Sequence, residues 1–239
     1  MMDLSALSDL LLSTGNPVLP APAFMRLALP AIWAIVLGSG ALLLAGRLAR
    51  PYRLGLGLLV AVWTLLPGPA SPAYWLGLAF QTPSLMTAVM GLAWFWDRER
   101  RGPGAGVMAA ESSGPALKIL AAAGIALGWI LLLDTLAWLP VSVYAWGFGS
   151  AAVGAVAIFA TLLWAVWGTA RAKGRSPALV GPMLMLCVLT LFVLTRLPSG
   201  NLWDALIDPW LWVALQLGWL FSAVRRLITV RRLSPAIRV

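Results

Sequence analysis

Backbone that crosses lipid must satisfy its own polar groups, which leaves helices or closed barrels. The strongest constraint on this chain is a succession of apolar runs of nearly spanning length. They cover 25–46, 54–67, 83–96, 116–139, 148–169, 178–196 and 209–224. A bilayer core of about 30 Å takes about 20 apolar residues as helix. Runs 54–67, 83–96 and 209–224 hold only about 14–16 residues, so they must extend at their ends or thin the bilayer. Apolar residues make up 61 % of the chain and charged residues 10 %. Soluble domains have about 45–50 % and about 25 %. These values exclude a water-soluble fold and a disordered chain. The expected fold is all-α: a polytopic integral membrane protein of about seven transmembrane helices.

The net charge is +9, from 17 Lys+Arg against 8 Asp+Glu. The cations sit between the apolar runs, in four clusters. These are Arg47/Arg50/Arg53, then Arg98/Arg100/Arg101 with Lys118, then Arg171/Lys173/Arg175, then Arg225/Arg226/Arg231/Arg232/Arg238. They hold 15 of the 17 cations, and we read them as topology signals, with no nucleic acid as partner. Seven spans place all four clusters and the C-terminus on one side, the cytoplasm. The other side keeps Arg26 and Arg196 and gains Asp3, Asp9, Asp204 and Asp208. The expected location is a bacterial-type inner (plasma) membrane, N-terminus outside. If 54–67 and 83–96 did not both cross, the first two clusters would still share a side. Residues 1–24 lack the basic start of a signal peptide. They are expected outside, with a short interfacial helix over 3–13 from the spacing of Leu4, Leu7, Leu10 and Leu11. The organisation is then an outer segment 1–24, a helical bundle 25–224 and a basic cytoplasmic tail 225–239.

The chain has 14 tryptophans. Trp63, Trp75, Trp138, Trp146, Trp203, Trp210 and Trp212 fall near the expected outer boundary. Trp94, Trp96, Trp164, Trp167 and Trp219 fall near the inner one. Indole rings favour such belts because one edge is apolar and the N–H is polar.

Three segments resemble one another. Runs two, four and six end in Thr64-Leu65-Leu66-Pro67-Gly68, Thr135-Leu136-Ala137-Trp138-Leu139-Pro140 and Thr195-Arg196-Leu197-Pro198-Ser199-Gly200. Each leads into an aromatic-rich connector and a returning run. Gly114-Pro115-Ala116-Leu117 also matches Ser176-Pro177-Ala178-Leu179. The pattern suggests one helix followed by three repeated hairpins. Trp75–Phe80 and Trp203–Ile207 read as short interfacial helices. Thr82-Pro83 and Asp208-Pro209 read as N-cap and first residue of the spans that follow.

Ionisable groups inside a membrane are functional candidates by default. Asp134 and Arg196 lie in the outer parts of runs four and six, about one helical turn apart in depth. Two readings stand: an intramembrane pair joining two hairpins, or two side chains reaching separately to the headgroups. Gln216 lies mid-run. Ser84, Thr87, Thr161 and Thr190 are expected to bond a neighbouring helix or their own backbone. Asp204 and Asp208, four apart, read as a weak cation site or an acidic rim. Glycines 124 and 128 allow close helix approach. Cys187 reads as a small apolar packer, and Gly102–Gly106 as a flexible linker.

The chain has no histidine and one cysteine, which excludes internal disulfides, His-ligated haem or zinc, and His-dependent triads. No phosphate-binding loop or nucleophile elbow is present. No cofactor or metal is expected, and the chain is not expected to be an enzyme. The expected role is a non-catalytic accessory, scaffold or assembly subunit of a membrane complex. Its partners would be the lipid bilayer and other membrane subunits or a second copy. A small-solute or lipid transporter or channel using Asp134/Arg196 is the alternative. A membrane transferase would have Asp134, Asp204 or Asp208 as the outer acids of its bundle.

Overall fold

The computed structural model of the protein describes residues 17–101, 115–171 and 180–233. Outside them lie the expected surface helix 3–13, the Gly102–Gly106 linker, the Ser176–Leu179 half of one repeat match and the last residues of the tail. The described chain is all-α. Seven long helices are α1 (Pro22–Leu44), α2 (Arg50–Thr64), α4 (Leu85–Arg101), α5 (Pro115–Thr135), α7 (Ser150–Arg171), α8 (Val180–Thr195) and α10 (Pro209–Leu233). Three short ones lie in the connectors: α3 (Pro72–Ala79), α6 (Val143–Trp146) and α9 (Leu202–Leu206). Every apolar run becomes a long helix. Two of them, Pro22–Leu44 and Ala116–Thr135, are long and apolar enough to cross a membrane; Ser150–Val166 and Gly181–Thr195 are shorter apolar helices.

The helix ends differ from the apolar limits because caps, not hydropathy, set them. Helix α4 starts after Ser84, whose hydroxyl accepts the Thr87 N–H (3.1 Å), so the cap is Ser84 and not Thr82. Helix α5 stops at Thr135 rather than at residue 139. Trp138 N–H bonds the Leu133 carbonyl (3.0 Å) and Ala137 N–H the Asp134 carbonyl (2.9 Å). That is a Schellman closure, which needs a left-handed residue at Ala137, and its φ is 55°. A side chain there costs about 1–2 kcal/mol, which glycine avoids at some entropic cost. Ala137→Gly is therefore expected to stabilise the fold by up to about 1 kcal/mol. A higher melting midpoint in detergent checks this; a lower one contradicts it. Helix α10 runs on to Leu233, so residues 225–233 continue the last helix instead of forming a separate tail. Arginine is a good helix former, and a charged helix turn in water is stable where an apolar run has ended.

After α1, the order long helix, short helix, long helix occurs three times. The outgoing helices end on the three matched threonines. Each hydroxyl donates to the carbonyl four residues back: Thr64 to Val60 (2.7 Å), Thr135 to Leu131 (2.8 Å) and Thr195 to Leu191 (2.6 Å). Each short helix has a polar N-cap. Ser71 accepts from Ala73 N–H, Ser142 from Ala145 N–H and Asn201 from Trp203 N–H. The short helices anticipated around Trp75 and Trp203 are present, and α6 is a third.

Helix α1 packs on α2 and α4, α4 on α8, α8 also on α7 and α5, and α10 on α5. The core lies where α8 meets α4 and α7; Ala88, Val156, Val188 and Phe192 are among its buried residues. Glycines let helices touch. A Cβ at Gly38 would stand 3.2 Å from the Gly57 carbonyl oxygen of α2. At Gly128 it would meet the Trp212 ring at 2.3 Å. Trp212 thus packs against α5 and donates its indole N–H to the Ile125 carbonyl (3.2 Å). Cys187 lies exposed on α8 and is not a packing residue.

The bundle has two chemically distinct ends. At one, which we term the connector end, residues 18–19, 84–87, 143–147 and 199–208 meet. At the other, the arginine end, the α1–α2 turn meets the C-terminal turns of α4.

Candidate functional site

The candidate residues cluster at the connector end, and hydrogen bonds decide their roles. Asp134 sits in the last turn of α5. Its Oδ2 accepts the Tyr144 N–H (2.7 Å) and the Ser142 hydroxyl at a long 3.5 Å. The carboxylate thus folds the connector back over its own helix end. Arg196 sits just past α8 with φ 56°, and its guanidinium lies 5.3 Å from the centroid of the Phe192 ring, one turn back. No ion pair joins Asp134 and Arg196. The pairing rested on a depth difference of about one helical turn, which an arginine can span, but two such side chains meet only if they also face each other. Here a backbone N–H ten residues away along the chain takes the carboxylate.

Asp204 lies in α9. Its Oδ2 accepts from the Tyr144 hydroxyl (2.8 Å) and from the Ser199 hydroxyl. Burial, followed by the adjacent Asp204 carboxylate, pushes the Tyr144 phenol far above its ordinary value. The phenol therefore remains a donor at any physiological pH. Asn201 completes this junction and is wholly buried. It donates Nδ2–H to the Tyr144 carbonyl (2.9 Å) and accepts the Trp203 N–H (2.9 Å). Leu202 N–H reaches the Gly147 carbonyl (2.9 Å) and the Trp203 indole the Val143 carbonyl (2.9 Å). The α5–α7 and α8–α10 connectors are stitched together by these bonds. Sequence reasoning missed Asn201, although a Gly-Asn step before a short apolar segment is an N-cap signal; Gly147, read with Gly149 and Gly154 as a site of close helix approach, packs against Asn201 and Trp203.

Among the described residues Asp208 is the most buried acid, 5 % exposed. One oxygen accepts the Leu211 N–H (2.9 Å), capping α10 as its Asp-Pro step implies. The other accepts the Ser84 N–H (2.8 Å) and the Thr87 hydroxyl at the start of α4. One carboxylate caps α10 and holds the capping residue of α4, and both N-termini present the positive ends of their dipoles to it. Asp204 and Asp208, read as one weak cation site or as a solvated rim, serve two separate junctions. Among the described residues, no three His, Cys, Asp or Glu side chains gather to hold a metal ion. Gln216 bonds the Trp212 carbonyl of its own helix (3.4 Å), and Thr161 and Thr190 likewise bond back one turn (2.8 Å each).

The arginine end has its own cluster. Glu99 accepts from Arg50 Nε (2.7 Å) and from Arg53, which is 6 % exposed. Arg98 donates to the Gly46 carbonyl (3.1 Å). Sequence reasoning missed Glu99 because only the cations of that segment were weighed as signals. Burial alone would raise the Glu99 carboxyl, but the Arg50 and Arg53 guanidiniums outweigh it and hold the group below its ordinary 4.5. A depressed folded-state value stabilises fully above that pH and is lost as pH falls through the depressed value. The melting midpoint of the wild type is therefore expected to converge on that of Glu99→Gln below pH 4.5. A constant difference between the two down to strongly acid pH contradicts this.

Compared with known protein families, curated proteins and solved structures, the chain matches none.

Proposed function

We propose that the chain is a multi-pass protein of a bacterial-type inner membrane. In this reading all seven long helices cross, the connector end faces outward and the arginine end faces the cytoplasm. It serves as a non-catalytic scaffold or assembly subunit. The observation that carries the reading is lateral surface. Only 6 % of the most apolar 18-residue stretch of α5 is buried, and 22 % of that of α1. A core helix of a soluble protein would be mostly covered by its own chain. Large apolar side chains also stand exposed along α10 and α7, among them Leu217, Leu220, Phe221, Ile158 and Leu162. In water such a continuous patch marks aggregation or an interface; in lipid it is the ordinary state. Arginines gathered at one end fit the positive-inside rule.

The internal chemistry supports a structural role. Asp134, Asp204 and Asp208 each hold a connector or a helix end. The transporter reading rested on an Asp134/Arg196 site, and these two side chains do not meet. Mild extraction of the tagged protein from its native membrane, followed by mass spectrometry, tests the proposal. A protein partner retained at constant stoichiometry is expected. A chain that purifies alone and moves a solute when reconstituted overturns the scaffold reading.

A further inference from the structure

We propose that the arginine end binds the phosphate headgroup of an anionic phospholipid, at the junction of the α1–α2 turn with the last turns of α4. This rests on the membrane reading above. Arg47, Arg50, Arg53, Arg98 and Arg100 stand against Asp97 and Glu99, a surplus of three positive charges. Two contacts fix the geometry. Glu99 ties Arg50 and Arg53 of α2 to α4, and Arg98 ties α4 to the Gly46 carbonyl of the turn. One carboxylate shared by two guanidiniums neutralises only one of them.

The side chain of Arg50 is 69 % exposed, and its bond to Glu99 uses Nε alone. Its two terminal amino groups are the fork that matches two phosphate oxygens. Arg98 lies 5.4 Å from the Trp94 ring centroid and Arg100 5.0 Å from that of Trp96. Indoles favour the headgroup level of a bilayer. Their rings thus set these guanidiniums at phosphate height. A soluble anion would gain from the charge but not from that placement, so the ligand is the lipid headgroup.

The test uses the full-length protein reconstituted in vesicles of equal phosphatidylglycerol and phosphatidylcholine, then extracted mildly for counting of retained lipids. Phosphatidylglycerol is expected to be enriched several-fold. A cation held against a bound headgroup contributes about fivefold to anionic lipid binding. Arg98→Gln and Arg50→Gln are each expected to lower enrichment by about that factor. Lys118→Gln removes the same charge from the start of α5 and is expected to leave enrichment near the wild-type value. Should either arginine variant fail to fold, the wild type still decides, because its enrichment must fall with added salt. Equal retention of both lipids by the wild type overturns the proposal, as does an equal loss in Lys118→Gln. Inorganic phosphate exchanged for chloride at fixed ionic strength is expected to change nothing; loss of enrichment would assign the site to free phosphate and overturn the lipid. Flotation with pure phosphatidylcholine vesicles separates the two readings. A chain that floats there without anionic preference fails only this proposal, whereas one that does not float fails the membrane reading and this proposal with it.

Discussion

Asp208→Ala is expected to destabilise the protein by about 3–5 kcal/mol, the range for removing one partner of a buried charged group. The carboxylate is 5 % exposed and accepts from Ser84 N–H, Leu211 N–H and the Thr87 hydroxyl. Alanine leaves the α10 N-terminus uncapped, releases the Ser84 cap of α4 from α10, and leaves three donors without their acceptor. A lost cap alone costs about 0.5–2 kcal/mol, and each buried unsatisfied group about 1–3. Asp208→Asn keeps one carbonyl oxygen and is expected to fall between, at about 1–2 kcal/mol. The comparison is made by denaturant or thermal unfolding in detergent. Wild-type stability in Asp208→Ala would mean that the carboxylate does not brace α4 and α10. It would then regain a claim to a functional role.

Gly147→Ala is expected to be as damaging, although its backbone conformation (φ −63°, ψ −17°) suits any residue. The obstacle is space. An added Cβ would stand 1.9 Å from Asn201 Oδ1 and 2.6 Å from the Trp203 ring. Asn201 cannot swing aside without breaking its bonds to Tyr144 and Trp203. Overpacking costs about 1–3 kcal/mol, and each of the two broken buried hydrogen bonds adds about 1, giving about 3–5 kcal/mol in all. Gly154→Ala is the control. No atom comes within 4 Å of its added Cβ, so it is expected to be neutral or stabilising by up to about 1 kcal/mol. If both variants melt alike, the stitched connector junction does not contribute to stability.

The seven long helices were legible because continuous apolar runs mark helix interiors, whatever their ends do. The matched threonines and the Asp208-Pro209 cap were legible because end signals are local in sequence. Azimuth was not. The one-turn difference between Asp134 and Arg196 gave their relative depth but not their facing, so it suggested a pair that Tyr144 N–H displaces. Distant partners were not legible either. Asn201 is wholly buried, and Ser84 and Thr87, expected to bond a neighbouring helix or their own backbone, meet an acid more than a hundred residues later. Such long-range caps leave no spacing in the chain. Glu99 was hidden among cations, and only the fold brings Arg50 and Arg53 to it.

The central claim is that the two ends of this bundle lie on opposite sides of a membrane. The single cysteine, Cys187, makes a clean background once replaced by serine. In that background, Ala70→Cys marks the exposed turn before α3, and Ala49→Cys marks the exposed turn before α2. A membrane-impermeant maleimide applied to intact cells is predicted to label Ala70→Cys at once and Ala49→Cys only after permeabilisation. Labelling of both sites in intact cells, or recovery of the protein in the soluble fraction, would contradict the account.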